Sequence, residues 1–80
     1  GTGSTVIQFQ LRTPERVEVA IYDILGREVR SLMQASLNAG EYQIHWDGND
    51  QLGLPLISGI YFYRLRVGGE QLTRKLSIVR

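Results

Sequence analysis

Short segments in which apolar and polar residues alternate with a period of two are the feature that most constrains this chain. In the clearest of them, Tyr42, Ile44 and Trp46 alternate with polar neighbours. A period of two marks a half-buried β-strand, because successive side chains of a strand point to opposite faces. The same pattern predicts further strands at about 5–12, 17–23, 59–67 and 70–79.

Turn-forming residues separate these segments. Gly68-Gly69 is a typical two-residue hairpin signal, and the stretch 47–55 is dense in glycine, asparagine and aspartate. Glycine adopts a positive φ without steric cost, so four glycines are predicted to serve turn geometry: Gly26, Gly40, Gly48 and Gly59. Six or seven short strands joined by such turns predict an all-β fold, an antiparallel β-sandwich in which each sheet hides one apolar face.

The segment 27–37 breaks this alternation. Its apolar residues Val29, Leu32, Met33 and Leu37 have a spacing that suits one face of a helix. No Ser, Thr, Asp or Asn caps the start of such a helix, which would be only about three turns long. The same residues also fit an irregular strand, or a strand with a bulge near Ser31. The periodicity leaves both possibilities open.

Length and composition limit what the chain can do. It has 80 residues, a formal net charge of +1 and no cysteine. These values predict a single domain over 1–80 whose core is small, since a chain of this length buries only about 60–65% of its unfolded surface. Neither a disulfide framework nor a Cys-based zinc site is possible. The charge argues against nucleic-acid partners, and no apolar run is long enough for membrane insertion. We expect a monomer without cofactors.

The polar residues do not form a catalytic or metal-binding pattern. His45 is the only histidine and lies on the polar side of its strand, where an exposed histidine needs no further role. Asp47 and Asp50 share a loop, but general acid–base catalysis needs carboxylates in a cleft that separates their pKa values. Counting from Asp47, the fifth, sixth and twelfth positions hold Gln51, Leu52 and Ser58, which do not match the pattern of a calcium loop. We therefore expect no catalytic residue and no metal site.

The aromatic residues divide between the two sides of the predicted strands. Tyr22 and Phe62 point outward, which is too few for the stacking platform that a carbohydrate-binding module would need, although that class stays an alternative. The others alternate inward and are predicted to form the structural core: Phe9, Tyr42, Trp46, Tyr61 and Tyr63. Trp46 is the expected central residue.

Four ordered blocks of the sequence resemble a known family. The blocks are Val19-Ala20-Ile21-Tyr22-Asp23-Ile24-Leu25-Gly26-Arg27-Glu28-Val29, the stretch from Leu37 to Gly48, Leu56-Ile57-Ser58-Gly59-Ile60-Tyr61-Phe62-Tyr63-Arg64-Leu65, and Thr73-Arg74-Lys75-Leu76 with Ser77-Ile78-Val79. They are similar to the consensus of the type A C-terminal sorting domains of the type IX (Por) secretion system. The immunoglobulin-like (Ig-like) domain of the flagellar hook-capping protein shares this consensus. The resemblance spans about 5–80.

The resemblance implies an Ig-like or fibronectin-like antiparallel sandwich of about seven strands, with 27–37 extended rather than helical. For function it implies a non-catalytic C-terminal sorting and cell-attachment domain of a larger secreted bacterial protein. Such a domain passes through the periplasm to the cell surface and meets the outer-membrane secretion machinery and, in many members, a sortase-like protease. The alternatives are an Ig-like assembly module, as in the hook-capping protein, and a carbohydrate-binding accessory module.

Two further expectations follow from the resemblance. Family members carry an Asn-Pro-x-x-Pro stretch where this chain has Gly1-Thr2-Gly3, so we interpret 1–3 as a cloning remnant. Lys75 lies in the closing block, so we expect the last strand and its neighbour to carry the recognition surface. The residues predicted to contact partners are Arg64, Arg66, Thr73, Lys75, Ser77 and Arg80.

Overall fold

The computed structural model describes residues 5–80, and the expected remnant at 1–3 lies outside them. The elements are six strands: β1 (Thr5–Leu11), β2 (Glu15–Tyr22), β3 (Glu28–Leu37), β4 (Gly40–Trp46), β5 (Gly59–Val67) and β6 (Glu70–Ile78). All pairings are antiparallel, and they form a two-stranded sheet β1-β4 and a four-stranded sheet β3-β2-β5-β6. The predicted all-β sandwich is confirmed.

The described part of the chain has six strands where about seven were predicted. The segment between β4 and β5 is a loop, as its turn-forming residues predicted, and its only ladder contact is an isolated bridge between Asn49 and Pro55. Proline has no N–H with which to extend a ladder. The carboxylate of Asp50 accepts the N–H groups of Leu52 and Leu54 at 2.9 Å each, so backbone donors that a strand would share are used within the loop.

The core lies between the sheets, where the alternating apolar residues meet. Its buried members are Ile7, Leu11, Val17, Val19, Ile21, Ile44, Trp46, Tyr61, Leu65 and Ile78. Trp46 is only 1% exposed, and its ring meets that of Tyr61 edge-on with centroids 6.5 Å apart. Trp46 is thus the large central residue that its alternation suggested.

Three aromatic residues expected in the core are instead half-buried at its margin. Phe9 and Tyr42 form a register pair and stack on each other with ring centroids 5.4 Å apart, and Tyr63 is likewise only partly covered. All three remain on the inward rows of their strands and pack against the buried core, but part of each ring reaches the solvent at the core's edge.

The ambiguous segment 27–37 is extended, as the resemblance implied. β3 pairs with β2 but skips Leu32 between the partners of Val19 and Ala20, and skips Val29 between the partners of Ile21 and Tyr22. Each skipped residue is a β-bulge, which shifts the inward and outward phase of the strand by one. The bulge expected near Ser31 is therefore present, and the pair of bulges explains the helix-like spacing.

Candidate interaction surface

Five of the six predicted partner-contact residues lie on one face. β5 and β6 pair Phe62 with Lys75 and Arg64 with Thr73, while Ser77 and Arg66 continue the same two rows. Because Tyr61 and Leu65 are buried on the inner side of β5, these side chains point away from the core. We call this the outer face, meaning the solvent side of the four-stranded sheet.

The two arginines of β5 on the outer face contact side chains of the neighbouring strand β2. The Arg64 guanidinium lies 4.5 Å from the centroid of the Tyr22 ring and donates a hydrogen bond to the Tyr22 hydroxyl, which itself donates to Glu28 at 3.5 Å. Arg66 lies 3.7 Å from the carboxylate of Glu18, with both side chains well exposed. Such an exposed pair contributes little stability. The contacts with Tyr22 fix the position of the Arg64 charge.

Arg80, the sixth predicted contact residue, is turned away from the outer face. Its guanidinium donates to the carbonyl oxygens of Leu56 at 2.6 Å and Gly48 at 2.7 Å, and its backbone N–H donates to Ser58 Oγ at 3.0 Å. The side chain therefore ties the segment after β6 to the loop between β4 and β5. Its geometry is that of a structural tie, because two guanidinium N–H groups and the backbone N–H are bound inside the domain.

A tight turn joins β2 to β3 and is closed by Asp23. One carboxylate oxygen accepts the N–H groups of Leu25 and Arg27 at 2.9 and 3.0 Å, and the other accepts Arg27 Nε at 2.8 Å. The backbone hydrogen bond from Arg27, with further help from its guanidinium, lowers the pKa of Asp23 from the usual 3.8. Gly26 completes the turn with φ of +82°.

The loop between β4 and β5 is fixed by similar contacts. The indole N–H of Trp46 donates to the carbonyl oxygen of Asn49 at 2.9 Å, and the Tyr61 hydroxyl donates to that of Ile57 at 2.8 Å. Arg30, brought to this side by the bulges in β3, donates to Asn49 and to the carbonyl of Asp50 at 3.2 Å each. Side chains of the core thus hold an irregular loop in one shape.

Between the turn and this loop lies an apolar groove that the sequence reasoning missed. Ile24 and Leu25 on the turn are 70% and 72% exposed, and Ile57 on the loop is 79% exposed. Together with Ile60 at the start of β5 they line a groove of about 470 Å³. We call it the end groove. Its signal in the sequence is the presence of apolar pairs inside turn segments, where polar residues are the rule.

The end groove is continuous with the outer face. Ile24 also borders a shallow recess that is lined by Tyr22, Phe62, Arg64 and Thr73. Phe62 and Tyr22 are neighbours in register across β2 and β5. One connected surface therefore runs from exposed aliphatic side chains to the cationic rows of β5 and β6.

The residues weighed for chemistry do not come together. His45 is exposed on the outer side of β4, Asp47 accepts a hydrogen bond from Arg30 at 3.3 Å, and Asp50 is used to close its own loop. Over residues 5–80 no three His, Cys, Asp or Glu side chains are grouped so that they could hold a metal ion. No helix in that span has the length and hydropathy needed to cross a bilayer.

These features define a small Ig-like β-sandwich that offers fixed side chains on its outside. The family model of the FlgD Ig-like domain matches residues 1–70. The chain therefore belongs to the FlgD Ig-like family, whose domain is a structural, non-catalytic module. No curated protein matches it. Of the two families that the motifs resemble, the match supports the flagellar hook-capping domain and gives no support to the type IX sorting domain.

Proposed function

We propose that this chain is a non-catalytic Ig-like assembly module, which joins the protein that carries it to neighbouring proteins through its outer surface. The observation that carries the proposal is the match to the FlgD Ig-like domain over residues 1–70. A module of this kind works by shape and charge and not by chemistry, so what it needs is a rigid frame with exposed side chains in constant positions.

The geometry supports such a role in two ways. First, the turn closed by Asp23 and the loop closed by Asp50 and Arg80 use their own polar groups, which keeps them in one shape. Second, Arg64 and Tyr22 are joined across strands, so the Arg64 charge has a fixed position on the outer face. A surface that is ordered before contact loses less conformational entropy when a partner binds.

The test replaces the domain within its parent protein by an unrelated Ig-like sandwich of similar length. We expect the hybrid to be produced and folded but to fail in assembly, measured as incorporation into the structure that the parent protein builds. A matched control carries the double substitution Gln8→Ser and Gln43→Ser, on the far side of the two-stranded sheet, and should assemble normally. Normal assembly of the hybrid would contradict the proposal.

A second candidate is the sorting and cell-attachment domain that the four motif blocks suggested. The observation that favours it is the gathering of Arg64, Arg66 and Lys75 on one face. Under this proposal the protein crosses the periplasm, and the outer-membrane secretion machinery recognises that face. A sortase-like protease acts afterwards, and the protein reaches the cell surface.

Export of a reporter fused to the domain tests the second candidate. Deleting 75–80 is a poor test, because it also removes the contacts of Arg80 with Gly48 and Leu56. The triple substitution Arg64→Glu, Arg66→Glu and Lys75→Glu changes the face and leaves those contacts in place. Export should fall sharply if the secretion machinery recognises the outer face, and undiminished export would eliminate this candidate.

A further inference from the structure

We infer that the end groove binds an apolar segment of a partner protein that is flanked by carboxylates, and that this contact is how the module docks. The inference rests on the assembly role proposed above and names its site and the chemistry of its partner. Four aliphatic side chains define the site: Ile24, Leu25, Ile57 and Ile60.

The walls of the groove are held open by hydrogen bonds. On one side the Asp23 carboxylate accepts two backbone N–H groups of the turn, which keeps Ile24 and Leu25 at its tip. On the other side the Tyr61 hydroxyl holds the carbonyl of Ile57 at 2.8 Å. Flexible loops would be free to fold such side chains against the protein. Here the backbone fixes them in water, which is the arrangement expected of a preformed binding site.

The size of the apolar patch argues for a short segment as the occupant and against a second copy of the chain. At 70%, 72%, 79% and 39% exposure, the four side chains present on the order of 450 Å², which is within the roughly 300–600 Å² of the largest apolar patch on a monomer, a patch that is often functional. A stable complex between folded domains buries roughly 800 Å² on each partner. The groove of about 470 Å³ has room for a few apolar side chains.

The charges around the groove set the chemistry of the flanks. Asp23 is the carboxylate on its rim, and its side chain is only 16% exposed and already bound by Arg27. Arg27 lines the groove, and its side chain is 74% exposed with only Nε bound to Asp23, so its terminal Nη atoms face a partner. Lys75 lies outside the groove, beside Phe62 on the adjoining outer face, and forms no salt bridge within residues 5–80. A carboxylate next to the bound apolar side chains can therefore pair with Arg27 at the groove or with Lys75 on the adjoining face.

Selection from a random displayed peptide library tests the inference, using the wild-type domain with counter-selection on the double variant Leu25→Ser and Ile57→Ser. Peptides that pair large apolar residues with Asp or Glu should be enriched. Binding of an enriched peptide should weaken about tenfold or more in each single variant. It should also weaken in Lys75→Glu and at high salt. Leu52→Ser is the matched control, because Leu52 is 84% exposed but does not line the groove.

The inference fails if selection enriches nothing over the double variant, or if it enriches peptides without carboxylates. It also fails if ultracentrifugation reveals self-association that Ile57→Ser abolishes, which would make a second copy the occupant. None of these results contradicts the proposed assembly role, which is contradicted only if the domain-replacement hybrid assembles normally. If that hybrid fails while Leu25→Ser and Ile57→Ser assemble as wild type, the role stands and the end groove is the wrong site.

Discussion

The guanidinium of Arg80 donates a 2.7 Å hydrogen bond to the carbonyl oxygen of Gly48, joining positions that are 32 residues apart in the chain. Gly48 is buried directly after β4, and Arg80 follows the last strand. The contact therefore connects the end of the four-stranded sheet to the end of the two-stranded one. It gives the sandwich a polar link between its sheets in addition to the apolar core.

Arg80→Met should lower the free energy of unfolding by about 1–2 kcal/mol, since hydrogen bonds from a charged donor to the carbonyls of Gly48 and Leu56 are lost while the aliphatic stem is kept. Urea denaturation measures the change. Arg74→Met is the control, because Arg74 is an exposed arginine of β6 with no side-chain hydrogen bond to residues 5–80. Equal effects of the two substitutions would show that the Arg80 contacts carry no stability.

Trp46→Phe should destabilise the domain by about 2–4 kcal/mol. The smaller ring leaves a cavity, and the carbonyl of Asn49 loses its indole donor at 2.9 Å. The same denaturation experiment measures the loss. Phe62→Leu, at a half-buried site on the outer face, should cost less than about 1 kcal/mol. A Trp46→Phe protein as stable as wild type would contradict the central position given to this residue.

Gly26→Ala should cost about 1–2 kcal/mol although nothing lies within 4 Å of the added Cβ. The cost is conformational, because Gly26 has φ of +82° in the turn closed by Asp23. Gly69→Ala is the matched control, since its Cβ also meets nothing within 4 Å and its φ is not positive. The difference between the two variants in thermal unfolding measures the free-energy cost of placing alanine at a positive φ.

Acid should weaken the turn between β2 and β3. The pKa of Asp23 is lowered in the folded protein, mainly by the backbone hydrogen bond from Arg27. Its stabilisation is therefore complete above the ordinary value of 3.8 and is lost as the pH falls through the lower folded value. Asp23→Asn keeps an oxygen acceptor but does not titrate.

The stability difference between wild type and Asp23→Asn should consequently shrink between pH 5 and pH 2. Thermal unfolding across that range measures it, and a carbon NMR titration of the Asp23 carboxyl gives the pKa directly. Glu41→Gln controls for the removal of one exposed carboxylate. A difference that stays constant with pH would show that the ionised carboxylate does not support the turn.

Alternation was enough to find the strands because burial on one face imposes it directly. Val17, Val19 and Ile21 are all at most 1% exposed, and the residues between them, Glu18 and Ala20, lie on the other side of β2. Alternation failed at β3, where the extra residues Val29 and Leu32 reverse the phase twice. In that segment a family resemblance was needed to choose the extended form.

The candidate surface was only partly visible in the sequence for a related reason. Rows on neighbouring strands follow from alternation and a hairpin, so Arg64 and Thr73 could be placed together. The fate of Arg80 and the exposure of Ile57 depend on an irregular loop. Its path is set by contacts between residues distant in sequence, such as the one from Arg30 to Asn49.

The two extra residues of β3 have a consequence for how the edge of the larger sheet behaves. A regular edge strand can slide by two residues along its neighbour and still bury the same side of its side chains. If β3 slid along β2, the bulge residues Leu32 and Val29 would lie opposite residues of β2 that need a paired partner. The hydrogen-bonding register would then be broken at both bulges. The two bulges therefore allow β3 to pair with β2 in one register only. This edge strand consequently resists exchange with a strand from another molecule.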